Sequence, residues 1–132
     1  MFCDFASSMP VTREPVGEVI VSDARSPAVC RMVLGAPVAI SADAYIRAGR
    51  LYENNCTVCH GVAAVTGGVL PDLRRSPRLQ DAVAWRRAVV DGELASLGMP
   101  RFGKYLTAED AELVRAYVAR QAAMLYAAES NR

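Results

Sequence analysis

Cys56-Thr57-Val58-Cys59-His60 is the stretch from which the rest of this 132-residue chain takes its meaning. On one helical turn, cysteines three apart share a side, and the histidine after the second adds an imidazole to the same small volume. Two thiols and an imidazole so placed suit covalent haem attachment, in which each sulfur adds to a vinyl group and the imidazole takes one axial position on iron. The competing readings are a zinc half-site, a thioredoxin-like redox pair and chance. A closed zinc site needs four ligands, and the other two cysteines, Cys3 and Cys30, form no second paired cluster. A redox pair would follow a strand and open a helix, whereas this motif falls at the end of a helical stretch.

The chain holds one histidine, so a second axial ligand would be methionine, lysine or nothing. Met99 stands apart from the other four methionines because it sits in Gly98-Met99-Pro100, 39 residues beyond His60. The flanking glycine and proline predict a rigid turn that aims a thioether instead of burying it on a helix face. Without a haem, the same residue reads as a loop methionine packed as filler.

The length suits one domain, and 52% hydrophobic with 22% charged residues is a globular composition. No run of about 18 apolar residues is present, so no transmembrane segment is expected. Fifteen basic and fourteen acidic side chains give a formal charge of +1, which argues against nucleic acid as a partner. Two haem propionates would bring the holoprotein to neutral or slightly negative, so long-range steering of a partner should be modest.

Residues 1–40 read as an irregular arm or linker, with Pro10 and Pro15 among small polar residues and a short strand or extended segment at 17–22. An apolar run at 32–40 leads into Ser41-Ala42-Asp43-Ala44, which carries the Ala-x-Ala pattern of a signal-peptidase site. Arg31, Gly35 and Pro37 interrupt it, so an extended segment is expected over a signal peptide. Cys3 and Cys30 can pair in an oxidising compartment or stay free.

The domain proper is read over residues 41–132. Ser41 is placed to cap a helix over about 42–55, with Asp43 in the first turn and Ile40 and Tyr45 as a hydrophobic staple. Tyr45, Gly49, Tyr52 and Cys56 share one face of that helix, leading into the motif. Beyond the motif, an imidazole bound through one nitrogen needs an acceptor at the other. A backbone carbonyl in the rigid turn at Pro71 suits this, Leu73 would then cover the haem, and Arg74 and Arg75 either reach propionates or are simply solvated. Ser76-Pro77 opens a helix to about Asp91, closed by Gly92. Trp85, the sole tryptophan, packs near the haem edge or generically in the core. Thr107, with Glu109 and Asp110 behind it, starts the last helix, whose apolar stripe is Leu113, Val114, Tyr117, Val118, Met124 and Leu125. That helix should cross the first near Gly49 and Tyr52.

From about 44 to 123 the chain resembles a class I cytochrome c domain: helix, CxxCH, proline loop, helix, methionine loop and helix, in that order. More narrowly, the CTVCHG stretch at 56–61, the run Gly67-Gly68-Val69-Leu70-Pro71-Asp72-Leu73-Arg74 and the loop Gly98-Met99-Pro100-Arg101-Phe102-Gly103 resemble the C-terminal haem domain of quinohaemoprotein alcohol dehydrogenases. Those enzymes oxidise alcohols on pyrroloquinoline quinone held in an eight-bladed propeller, and the haem domain relays the electrons. The resemblance implies an all-α cytochrome c fold of three to four helices around one covalent haem c. It also implies that Cys56 and Cys59 hold the haem, His60 and Met99 ligate iron, and Pro71 accepts the histidine hydrogen bond.

Departures from the family pattern set further expectations. Such domains commonly place glycine eight residues before the first haem cysteine, where this chain has Ala48, with Gly49 next, so the helix crossing should be slightly wider or rotated. No propeller precedes the haem domain, so the expected role is a one-electron carrier and not an enzyme. It would take electrons from a dehydrogenase and pass them to a copper protein, cytochrome or quinone-linked acceptor. The alternatives are a detached or truncated piece of a larger dehydrogenase, and a peroxidase-like haem enzyme, which needs an open iron position. Haem attachment to CxxCH implies the periplasm, although the sequence offers no convincing signal peptide.

Overall fold

The computed structural model describes residues 39–132, so the expectations for the arm, the extended segment at 17–22, Cys3 and Cys30 lie outside the described residues. The described part is all-α, with no strand. Two helices form its frame. The first, α1 (Ala42–Asn55), begins where expected: Ser41 is extended, its Oγ accepts from the Ala44 N–H at 3.2 Å, and Asp43 lies in the first turn. The last, α4 (Ala108–Ser130), opens with a reciprocal cap. The Asp110 N–H donates to Thr107 Oγ1 at 3.0 Å, while Asp110 Oδ2 accepts the Thr107 N–H at 3.1 Å.

These helices meet at the predicted place. A Cβ on Gly49 would lie 3.4 Å from the Tyr117 ring, which packs tilted against Tyr45 and Tyr52 with centroids 5.3 and 5.1 Å away. Ala48, the residue departing from the family pattern, is fully buried beside this contact. Gln121 donates to Tyr45 Oη at 2.8 Å, and Arg47 holds Asp110 at 2.7 Å, so polar bonds tie the crossing on both sides. Tyr52, Val114 and Val118 are the largest fully buried side chains, each contributing roughly 1.5–3 kcal/mol through burial.

Between the frame helices runs a chain of short turns. The haem motif forms α2 (Thr57–His60), followed by single 3₁₀ turns at Val62–Ala64, Leu73–Arg75 and Pro77–Gln80. Next comes α3 (Ala82–Arg86), which widens into a π-helical turn at Arg87–Asp91, and a last 3₁₀ turn at Ala95–Leu97. The single helix expected from Pro77 to Asp91 is therefore broken. Asp81 is extended (φ −127°, ψ 100°), and its carboxylate accepts from the Val83 and Ala84 N–H groups at 3.0 and 2.9 Å. A good capping side chain in mid-pattern thus starts a second helix. One expected stripe residue also fails: Met124 is 56% exposed. It lies a turn beyond Gln121, which already meets Tyr45 near the start of α1, so α1 offers nothing further to cover it.

The middle turns hang on α4. Trp85 Nε1–H donates to the Ala111 carbonyl at 2.8 Å, and the buried Arg115 donates to the Leu79 carbonyl. Arg75 is paired with Glu129 and lies over the Tyr126 ring. No helix among the described residues is long and apolar enough to cross a membrane.

Candidate haem site

The motif follows α1 directly, with Cys56 as the joint between α1 and α2: Cys56 N–H donates to Tyr52 O at 2.8 Å, and His60 N–H to Cys56 O at 2.9 Å. Gly61 then turns the chain at φ +75°, where a Cβ would fall 2.0 Å from the Val65 carbonyl oxygen, so no other residue fits. Tyr52, fully buried in α1, donates its hydroxyl to the Gly61 carbonyl at 2.8 Å and clamps the turn to the frame. Burial pushes the pKa of that hydroxyl upward, so it remains a donor.

Cys56 and Cys59 are free thiols, the first half-buried and the second exposed. Burial, with the neighbouring Cys59 second, pushes the Cys56 thiol up to about 11. Burial also holds the His60 pKa below its usual value, so its imidazole is neutral at pH 7. Its Nδ1 is buried without a hydrogen-bond partner, as is Thr57 Oγ1. The bond expected from the Pro71 carbonyl is not formed, and Pro71 itself is exposed.

These features fit a large apolar cofactor bearing a metal. A neutral imidazole is the form that binds iron, and a buried ring nitrogen without a partner is uncommon in a finished site. Around the motif in sequence, Val58 is 95% exposed, Val62 74% and Val69 94%, while Leu97, two residues before Met99, is 81% exposed. These four side chains are exposed aliphatic surface on the segments around the motif and before the methionine loop. Met99, Leu73, Phe102 and Cys56 are partly buried and pack against the same core cluster, so the methionine loop and the motif rest on one base.

Residues 44–118 match the family model described as cytochrome c oxidase, cbb3-type, subunit III, over more than half of the chain. The chain belongs to this cytochrome c family. It is 41% identical over 76 residues to the quinohemoprotein alcohol dehydrogenase ADH IIB of Pseudomonas putida. It is 38% identical over 72 residues to the dehydrogenase subunit of the quinone alcohol dehydrogenase of Gluconobacter oxydans. To the cytochrome c550 of Pseudomonas aeruginosa it is 30% identical over 70 residues. These matches cover 55, 54 and 51% of this chain, but 11, 10 and 48% of the respective relatives. The chain thus spans about a tenth of the length of the two dehydrogenases. As a cytochrome c domain it carries one covalently bound c-type haem with iron, and it is related both to dehydrogenase-associated cytochrome c and to cytochrome c550.

Two residues expected at the cytochrome's cofactor are engaged elsewhere in the structure. Arg74 makes a bidentate pair with Asp72, Nε to Oδ1 at 3.0 Å and Nη2 to Oδ2 at 2.7 Å, which holds the Asp72 carboxyl below the usual range. Trp85 is buried, with its N–H on α4. A cavity of about 270 Å³ lined by Val83, Trp85, Arg86 and Ala111 includes neither the motif nor Met99. Sequence reasoning missed the Tyr52 hydroxyl as a clamp. The available signal was a tyrosine on the motif-facing side of α1 with a glycine turn nine residues on.

Proposed function

We propose that this cytochrome c domain, residues 41–132, relays single electrons from a quinone-dependent alcohol dehydrogenase to a respiratory copper protein, cytochrome or quinone-linked acceptor in the periplasm. In this reading Cys56 and Cys59 hold the haem, and His60 and Met99 bind iron. The observation that carries it is the half-buried His60 with an unpartnered Nδ1, directly after two free thiols one helical turn apart. Likeness to the haem-bearing alcohol dehydrogenases supports the donor.

When bound, the haem supplies a one-electron couple between ferric and ferrous iron. The chain's own residues set its conditions. The His60 Nδ1, which has no partner in the structure, is the group that an acceptor would hold when the other ring nitrogen binds a metal. With the haem bound, the Met99 thioether and the apolar side chains of Leu73 and Phe102 would favour the ferrous state and raise the potential. Asp72 holds Arg74 by Nε and Nη2, leaving its Nη1 donors for a propionate. Trp85 contributes by pinning α3 to α4.

The test is the optical spectrum of oxidised holoprotein matured in a bacterial periplasm, followed by mixing with a reduced quinone-dependent alcohol dehydrogenase. The weak red-end band of methionine sulfur on ferric iron and one electron accepted per haem are expected. A spectrum of an open or water-bound iron would instead favour a peroxidase-like role.

A further inference from the structure

The turn preceding the methionine loop is wound unlike the rest of the molecule. From Arg87 to Asp91 the backbone is π-helical, and both Gly92 N–H and Glu93 N–H donate to the Arg87 carbonyl, Glu93 at 3.1 Å. In a continuing α-helix the Glu93 N–H would serve the Val89 carbonyl. Here that carbonyl instead accepts the Phe102 N–H at 2.9 Å, and the next one, of Val90, accepts Arg101 Nε–H at 3.3 Å. The helix end therefore has its terminal acceptors taken by residues two and three places after Met99, where a cap would ordinarily serve them.

Two glycines make the fit possible. A Cβ on Gly103 would lie 2.7 Å from the Val90 carbonyl oxygen, a backbone atom that cannot swing away. Gly92, left-handed at φ +81°, leaves room for Arg101, whose Cβ would be 2.9 Å from a Cβ at that position. On the other side Met99 N–H donates to the Leu94 carbonyl at 3.2 Å, and Phe102 O accepts from Tyr105 and Leu106 at 2.8 and 2.9 Å. Met99 is thus bracketed by a segment fixed at both ends.

We infer that the π-helical turn Arg87–Asp91, with Gly103 pressed against the Val90 carbonyl, is a positioning seat that sets the Met99 thioether for its iron bond. This rests on the reading of Met99 as an axial ligand. π-Turns recur at functional sites because one extra residue redirects the carbonyls of a helix. Here the redirected pair docks the ligand loop instead of continuing the coil. Gly103→Ala pushes that loop off the helix end while leaving Met99 and both cysteines in place.

The experiment uses the full-length oxidised holoprotein and reads the red-end methionine band together with the affinity for added imidazole, which competes with the thioether for iron. Gly103→Ala is expected to weaken the band and tighten imidazole binding by roughly tenfold, equivalent to about 1.4 kcal/mol. Val118→Ala, which removes a buried side chain of α4 outside the 87–103 segment, should lower thermal stability and leave both readouts unchanged. Should Gly103→Ala yield no holoprotein, Arg101→Ala, which adds no atom, carries the test with a smaller gain of about threefold. Met99→Ala separates the two ideas. If it leaves the band unaltered, the ligand assignment fails. If it abolishes the band while the seat variants match wild type in band and imidazole affinity, or match Val118→Ala in effect, the seat is overturned.

Discussion

The two sides of the molecule are built on opposite principles. The α1–α4 crossing is finished by the polypeptide alone, with Ala48, Tyr52, Val114 and Val118 buried and Tyr117 locked between Tyr45 and Tyr52. The turns from 57 to 105 are instead short and leave Val58, Val69 and Leu97 exposed. The first side is a frame whose crossing is packed by its own side chains, the second a shell of short turns with several exposed aliphatic side chains. A helix pair needs only complementary side chains, whereas a shell of single turns gains too little burial to fold tightly on itself.

The hardest break in this contrast removes the cofactor and spares the frame. Cys56→Ala and Cys59→Ala should lose covalent haem, seen by haem staining after denaturing electrophoresis, yet retain most helical circular dichroism. Cys3→Ala and Cys30→Ala should stain like wild type. Equal staining of all four variants would refute the attachment site. The converse is Tyr117→Ala, expected to cost about 3–5 kcal/mol in urea unfolding through the cavity it leaves, without changing the spectrum of the folded fraction.

Exchanging the shell's ligand should move chemistry and little else. Met99→His lowers the midpoint potential markedly, while Met124→Leu, at an exposed position, leaves it unchanged. Redox titration of both variants checks this, and equal potentials would point to another sixth ligand. A smaller change is expected at the cap of α4, where Thr107→Ala costs about 1 kcal/mol. Its backbone N–H, then its hydroxyl and Arg47, depress the Asp110 pKa. The stability Asp110 contributes is therefore complete above the ordinary carboxylate range and is lost as pH falls through the depressed folded value. Thr107→Ala should flatten that acid limb in pH-dependent melting. The smallest effect concerns salt. Arg75, Arg86 and Arg87 face Glu129, Asp91 and Glu93, so each of these charges is offset by a nearby carboxylate. Stopped-flow electron transfer should vary little with ionic strength, and a steep fall would show that charge governs docking.

How far the residues foretold these features follows the same division. The limits of α1, the cap of α4 and the Gly49–Tyr52 crossing were readable because capping residues and helical periodicity are local signals. The motif was readable because thiol spacing carries its own chemistry. The break at Asp81 was missed because Ser76-Pro77 offered an equally good start and periodicity bridges one extended residue. The π-turn has no sequence signature at all: it exists because the Val89 and Val90 carbonyls meet Arg101 and Phe102, a tertiary match no window of residues displays. Met124 fits the stripe by spacing and was lost only because its neighbour helix had ended.

The bond from Trp85 to the Ala111 carbonyl gives this protein a built-in optical reporter. With one tryptophan in the whole chain, tryptophan emission, excited selectively at the red edge where tyrosine does not absorb, comes from a single joint, the one where the shell's α3 is fastened to the frame's α4. Emission followed alongside circular dichroism during unfolding then times the release of that joint against the loss of helix. A protein whose halves are as differently made as these would show the two signals parting company.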